Sequence, residues 1–298
     1  MTLRARERTV NFPRRPLIMG IVNLNDDSFC GDGTLDASAA IDQAMNMVAQ
    51  GADIIDAGAE SARTNRGPIS VAEEIGRLLP FIERWEAWIA STAGGPPPVP
   101  EQLWPPLLSI NTWRPDVVAA VLQIGGDILN DMGALPDDRN CRLCARHGAA
   151  LVIMHSRGQP KENHTHVHYP DIMAELECFF RERIQMAGAA GLDSDCIVLD
   201  PGIDFAKQRE DNLRILGRIE RLHQFQRPIL LPVSRKTVIG EVLELTDPLE
   251  RDAGTVACIV AGQMRGAHIF RVHNVEAGVN TARVLHAVSS IAAPQALR

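Results

Sequence analysis

From Leu17 onward the chain alternates between two apolar patterns. One is a set of short unbroken runs that stop at a polar residue. These are Leu17 to Val22 before Asn23, Asp53 to Ala57 before a Gly-Arg-Ser-Asn loop, Leu107 to Ile110 before Asn111, and Asp127 to Leu129 before Asn130. They continue with Ala150 to Met154 before His155, Cys196 to Leu199 before Asp200, Pro228 to Val233 before Ser234, and His268 to Val272 before His273. Runs this short, without polar alternation, predict strands buried on both faces, as in a parallel sheet. Between them apolar residues recur at helical spacing, which predicts helices over 38–50, 71–90, 115–122, 137–147, 170–190, 211–225, 255–264 and 275–287. Ser70 is placed as an N-cap with Glu73 completing a capping box.

Eight strand-then-helix units over a length near the roughly 250 residues typical of such folds predict an α/β protein, a single-domain (β/α)8 TIM barrel. The barrel is assigned to residues 16–298 and an N-terminal extension to 1–15. A doubly wound open sheet competes, but no Gly-x-Gly-x-x-Gly turn follows the first strand. The Gly- and Pro-rich stretch Thr92 to Pro106 joins a helix to a strand, at the barrel end away from a mouth-side site. It is expected to be a neutral surface connection.

Composition narrows the function. With 45% hydrophobic and 22% charged residues the chain reads as globular, and a net charge of -7 argues against nucleic acid or an acidic membrane surface as the main partner. Residues 1–15 carry several Arg without an apolar core, and no run is long enough to span a bilayer, so a cytoplasmic protein is expected. Six Cys without a secretory signal read as buried thiols.

The strand ends carry the chemistry: Asn23, Glu60 to Arg63, Asn111, Asn130, His155, Asp200, Ser234 to Lys236, Arg271 and His273. A barrel brings them to one mouth. Asp200 with the amides of Asn111 and Asn130 can pair with a flat heterocycle that shows both donors and acceptors, since a carboxylate matches an amidine-like edge bidentately. Arg63, Lys236, Arg271 and His273 can hold a leaving phosphate or pyrophosphate. Asn23, near Asp26 and Asp27, can help hold Mg2+, which favours oxygen ligands and phosphate company.

At this point the motifs "MGIVNLNDDSF", "DAGAES", "LSINT", "ILNDM", "VIMHSRG", "LDPGIDFAK", "VSRKTVIG" and "FRVHNV" resemble one family, dihydropteroate synthase, in the family's own order from Leu17 to about His286. The resemblance implies condensation of 6-hydroxymethyl-7,8-dihydropterin diphosphate with 4-aminobenzoate, giving 7,8-dihydropteroate and pyrophosphate in folate synthesis. It implies that Asp200 and Asn130 bind the pterin, with Lys236 beside it and Met154 packing nearby. Arg271 and His273 receive the diphosphate, and Asn23 lies at a magnesium ion. Arg63 helps close the site, while Ser234, Arg235, Lys236 and Phe205 lie near the aminobenzoate. A homodimer is also implied, as is sulfonamide as a class of inhibitor.

The chain departs from the family at particular positions. Asn25-Asp26-Asp27-Ser28-Phe29 replaces Thr-Pro-Asp-Ser-Phe. Ser61-Ala62-Arg63-Thr64-Asn65 replaces Ser-Thr-Arg-Pro-Gly, so Ala62 lacks the hydroxyl that would touch the diphosphate. Asn111 stands for the usual Asp, and Pro232 for the usual Gly. Asn111 keeps the shape and removes a negative charge that would stabilise a cationic pterin. Two other readings therefore stand beside the synthase. One is a pterin- or folate-binding paralogue with little turnover. The other is a methyltetrahydrofolate-dependent methyltransferase, which would need neither Ser-Arg-Lys nor Arg-x-His. The pair Cys141 and Cys144 with His147, and the loop set His164, His166 and His168, have metal-like spacing; the first reads as buried thiols and the second as an adventitious site. Trp85 and Trp88 read as packing residues.

Overall fold

Two short strands, β1 (Thr2–Ala5) and β2 (Arg8–Asn11), pair antiparallel before the barrel begins. The computed structural model describes residues 1–26, 31, 33–60, 67–161 and 166–292. In chain order there follow β3 (Leu17–Asn23), α1 (Ala37–Ala49), β4 (Ile54–Gly58), α2 (Val71–Thr92), β5 (Leu107–Asn111), α3 (Pro115–Val121), β6 (Ile128–Asp131), α4 (Arg139–His147) and β7 (Ala150–Met154). The rest comprises α5 (Ile172–Ala189), β8 (Ile197–Asp200), α6 (Arg209–Gly217), β9 (Leu230–Leu231), α7 (Thr237–Leu243), α8 (Asp252–Met264), β10 (Ile269–Val272) and α9 (Val275–Ala292). The parallel strands pair in the order β8-β7-β6-β5-β4-β3-β10-β9, and a single bridge from Leu199 to Ile229 joins the two ends. This is a TIM barrel.

Period-two alternation sorts every strand into two faces. Ile18, Ile55, Leu108, Leu129, Leu151, Leu199 and Phe270 pack outward against the helices, in one core with Leu78, Phe81, Leu176 and Ile259. Leu17, Met19, Ile54, Leu107, Ile128, Ala150, Val152, Val198, Leu230 and Ile269 pack inward, in a second core. The register aligns these inward residues in layers, with Met19 opposite Ile54 and Ile54 opposite Leu107. One layer higher, on the same parity, the inward residues become polar.

The hairpin completes the inner core. Leu3, Ala5, Val10 and Phe12 belong to the same cluster as the inward layer and close the barrel floor. Residues 1–15, expected as an extension, thus supply apolar side chains, and their arginines serve as clamps. Arg6 donates to the carbonyls of Gly126 and Leu122, and Arg8 to that of Pro105. The expected boundary at residue 16 also cuts a buried ion pair: Arg15, 1% exposed, grips both oxygens of Asp53 at 2.9 Å. Burial pushes the Asp53 carboxyl up despite this partner.

Several expected elements differ in extent. The run Pro228 to Val233 is a strand only at Leu230–Leu231, because Pro228 and Pro232 lack the N–H a ladder needs. The helix expected over 211–225 is α6 followed by a 3-10 turn over Ile219–Phe225. Helix α7 was not expected; the carboxylate of Asp204 accepts from the backbone of Thr237 and Val238 and so caps its first turn. Ser70 caps α2 by accepting from the Glu73 N–H, while the Glu73 carboxylate pairs with Arg77. The stretch Thr92 to Pro106 is tied down by Gln102, whose amide donates to Val48 and Ala52. Cys141 and Cys144 are buried on α4, with burial pushing the Cys141 thiol up to about 12.

Candidate functional site

The polar inward layer lies at the C-terminal end of the strands. Asn23 ends β3, Asp56 lies on β4, Ser109 and Asn111 on β5, Asn130 on β6, Met154 on β7, Asp200 on β8 and Arg271 on β10. Asp56 opposes Ser109 and Asn111 opposes Asn130 in adjacent strands, while Met154 opposes Asp200. The parallel register therefore gathers residues far apart in sequence onto one surface.

Asp56 is the centre of this layer. It is fully buried and accepts from Ser109 Oγ at 2.5 Å, Asn111 Nδ2 at 3.3 Å, Asn130 Nδ2 at 3.1 Å and Arg271 Nε at 2.7 Å. The Oδ1 atoms of Asn111 and Asn130 are buried and have no partner among the described residues. Asp200, 3% exposed, accepts from the Gly202 N–H at 2.7 Å. Burial pushes its carboxyl up to about 6, against the pull of Lys236, Lys207 and Arg271. One carboxylate and two amide oxygens thus face the mouth.

The cations stand beside them. Lys236 donates to the Ile203 carbonyl at 2.9 Å and lies over the Phe205 ring at 4.6 Å; burial lowers its pKa. Arg271 is half-buried against Asp56. The Ser234 hydroxyl accepts from the His273 backbone N–H at 3.0 Å, which ties the ends of strands β9 and β10 together. Arg235 differs from the rest, because its guanidinium is engaged bidentately with Asp252 at the start of α8. Arg63 and Ala62, with Asp27, Ser28 and Phe29, lie outside the described residues.

Reading strand ends alone missed several groups. Asp56 and Ser109 sit within their strands, one layer below the ends. Their signal was parity: each shares the inward phase with Asn111 or Ile54, yet is polar in a run buried on both faces. Lys207 was also missed. Its ammonium meets His155 Nδ1 at 2.9 Å, the His155 carbonyl at 3.1 Å and the Phe205 carbonyl at 2.9 Å. Burial lowers Lys207 to about 7 against the pull of Asp200, and burial with the Lys207 charge lowers His155 to about 2, so His155 is neutral and supports the floor of the mouth. On the opposite rim Arg114 pairs with Glu60 at 2.5 Å and Glu74 at 2.9 Å, and Lys161 reaches Glu60 at 3.2 Å. These pairs join the loops after β4, β5 and β7.

Fold and site together define a TIM-barrel enzyme of the pterin-binding class, and the family of pterin-binding enzymes matches residues 19–273. The dihydropteroate synthase of Escherichia coli strain K12 is 35% identical over 280 residues, covering 92% of each chain. The Yersinia pestis dihydropteroate synthase, solved with a sulfonamide drug complex, superposes with a TM-score of 0.86 at 33% identity, covering 97% of this chain and all of the other. The Thermus thermophilus enzyme, solved with 4-aminobenzoate, gives a TM-score of 0.82 at 34% identity, covering 97% of this chain and 100% of the other. This chain belongs to the dihydropteroate synthase family.

Proposed function

We propose that the chain is a folate-biosynthetic transferase that joins 6-hydroxymethyl-7,8-dihydropterin diphosphate to 4-aminobenzoate, releasing pyrophosphate. The observation that carries this reading is the buried acceptor set of Asp200, Asn130 and Asn111 beside the cations Lys236 and Arg271. The pterin's N3–H and 2-amino group form an amidine-like edge that a carboxylate takes bidentately. Around the barrel from Asp200, the acceptors of Asn130 and Asn111 lie in one direction and the Lys236 ammonium in the other. A dihydropterin anchored on Asp200 offers N1 and a ring N8–H on one flank and the O4 and N5 acceptors on the other. Met154 and Phe205 supply apolar surface for the ring.

Departure of pyrophosphate leaves a cationic methylene that the electron-rich pterin stabilises, and the arylamine attacks it and then loses a proton. Arg271 and His273 receive the diphosphate, and Arg63 assists from the loop after β4. Ser234, Arg235, Lys236 and Phe205 border the aminobenzoate, where sulfonamides would compete. Catalysis then rests on preorganised charge and positioning. A magnesium ion fits this donor set in a limited way. No group of three His, Cys, Asp or Glu suited to a metal exists among the described residues, so its ligands would be diphosphate oxygens with Asn23. The ion's contribution when bound is charge neutralisation of the leaving group.

A homodimer fits the exposed apolar residues of α8 and α9, including Met264, Val284 and Val288. No helix among the described residues is long and apolar enough to cross a membrane, and a cytoplasmic setting matches the small soluble substrates.

The test is pyrophosphate release by the purified protein with both substrates and Mg2+. Sustained turnover that needs 4-aminobenzoate supports the synthase. Tight pterin binding with no release even at high enzyme concentration overturns it in favour of the paralogue reading, which Asn111 motivates.

A further inference from the structure

We infer that Asp56 is a positioning residue that fixes the amides of Asn111 and Asn130 with their carbonyls toward the substrate, and so selects the reduced, N8–H form of the pterin. The inference rests on the proposed pterin-binding function and deepens it. A carboxylate is acceptor-only, so each amide that touches it must present its NH2. Asp56 takes Nδ2 of Asn111 at 3.3 Å and Nδ2 of Asn130 at 3.1 to 3.2 Å. Neither amide can turn over without setting a carbonyl lone pair against a buried carboxylate. Arg271 and Ser109 donate to the same carboxylate and hold it in place.

The consequence lies on the other side of each amide. Both Oδ1 atoms are buried and unpartnered, at residues only 3% and 2% exposed. Buried acceptors of this kind are costly unless a ligand donates to them. They call for N–H groups. Of the pterin's ring atoms on that flank, N1 is an acceptor in both oxidation states. N8 is a donor in 7,8-dihydropterin and a lone pair in the fully oxidised ring. Oxidised pterin would therefore set a lone pair against fixed carbonyls.

Asn111 adds a feature particular to this chain. An Asp at this position would stand 3.3 Å from Asp56 and the two carboxyls would share a proton. The neutral amide gives the same acceptor without a proton to lose, so the preference for the reduced ring should not titrate through this pair.

The test measures the dissociation constants of 6-hydroxymethyl-7,8-dihydropterin and 6-hydroxymethylpterin by anaerobic calorimetry. Neither carries a diphosphate, so the result does not depend on the role of Arg271 toward phosphate. The wild type should favour the dihydro form by roughly 10- to 100-fold, the range for pairing or stranding a buried acceptor. Asp56→Asn lets both amides turn, and the ratio should fall to within about threefold of unity, a change that loss of stability alone would not produce. Should that variant not fold, Asn111→Asp serves, as it is nearly isosteric. Its carboxyl keeps an acceptor toward N8–H whether or not it holds the shared proton, so its ratio should equal or exceed that of the wild type and should not fall as pH rises. Equal wild-type affinities, an unchanged ratio in folded Asp56→Asn, or a ratio in Asn111→Asp that falls below the wild type's would each overturn the inference. A wild type that binds neither pterin would instead overturn the function on which it rests.

Discussion

Replacing Asp200 by Asn should remove pterin binding while leaving the fold intact, and the structure sets the size of both effects. Asp200 accepts from the Gly202 N–H at 2.7 Å through one oxygen. In the variant the amide keeps its own oxygen on that N–H, so the NH2 must face the ligand. A site that accepted two N–H groups would then present a donor to them. Loss of two charge-assisted hydrogen bonds costs roughly 3 to 6 kcal/mol, which is at least about a hundredfold in affinity.

The fold responds in the opposite direction. Burial holds the Asp200 carboxyl near 6, above its ordinary 3.8, so ionising it above pH 6 costs the native state stability. The shift corresponds to roughly 3 kcal/mol. Asp200→Asn removes that cost and keeps the turn at Gly202, so Tm at pH 8 should be unchanged or higher. Calorimetry with 6-hydroxymethyl-7,8-dihydropterin and a thermal melt read the two effects separately. Unchanged pterin affinity, or a large loss of Tm together with intact binding, would refute the reasoning.

Pterin affinity of the wild type should be flat above about pH 7 and weaken by about tenfold per pH unit below 6, as Asp200 takes up a proton; calorimetry across pH 5 to 8 checks it, and an acid-insensitive affinity would contradict an ionised anchor. His155 has the opposite linkage to stability. Its folded pKa lies near 2, below the ordinary 6.5, so the unfolded chain gains the proton first and the His155 contribution should decline as pH falls through 6.5. Urea midpoints of wild type and His155→Phe at pH 7.5 and 5.5 should show the variant losing less on acidification. Leu3→Ala should destabilise by about 2 to 5 kcal/mol without changing pterin affinity, since Leu3 is fully buried on the barrel floor, far from the mouth. A cost under about 0.5 kcal/mol in urea unfolding would mean the hairpin is not part of the core. Arg15→Met should cost about 3 to 5 kcal/mol by stranding Asp53, and adding Asp53→Asn should recover part of it by removing the charge while keeping an acceptor for one of the Ile18 and Leu103 N–H groups; urea unfolding of the single and double variants decides this.

The sequence by itself determined the alternation of strand and helix, because strands buried on both faces and helices with one apolar stripe leave different periods in the chain. It also determined the polar groups at the mouth, since a carboxylate or amide that ends an apolar run is visible without coordinates. Asp200, Asn111 and Asn130 were legible for that reason, and the family motifs gave them roles. The tertiary structure decided what lay within the runs or depended on pairing. Asp56 reads as one polar residue in a strand until the register sets it beside Ser109 and within reach of Asn111, Asn130 and Arg271. Leu3, Ala5, Val10 and Phe12 read as scattered apolar residues among arginines until the hairpin turns them onto the barrel floor. Arg235 stands beside Lys236 in sequence, yet only the fold shows its guanidinium engaged by Asp252. Local pattern reports burial and period, whereas hydrogen-bond partners come from strand register, and register joins residues as distant as Asp56 and Arg271.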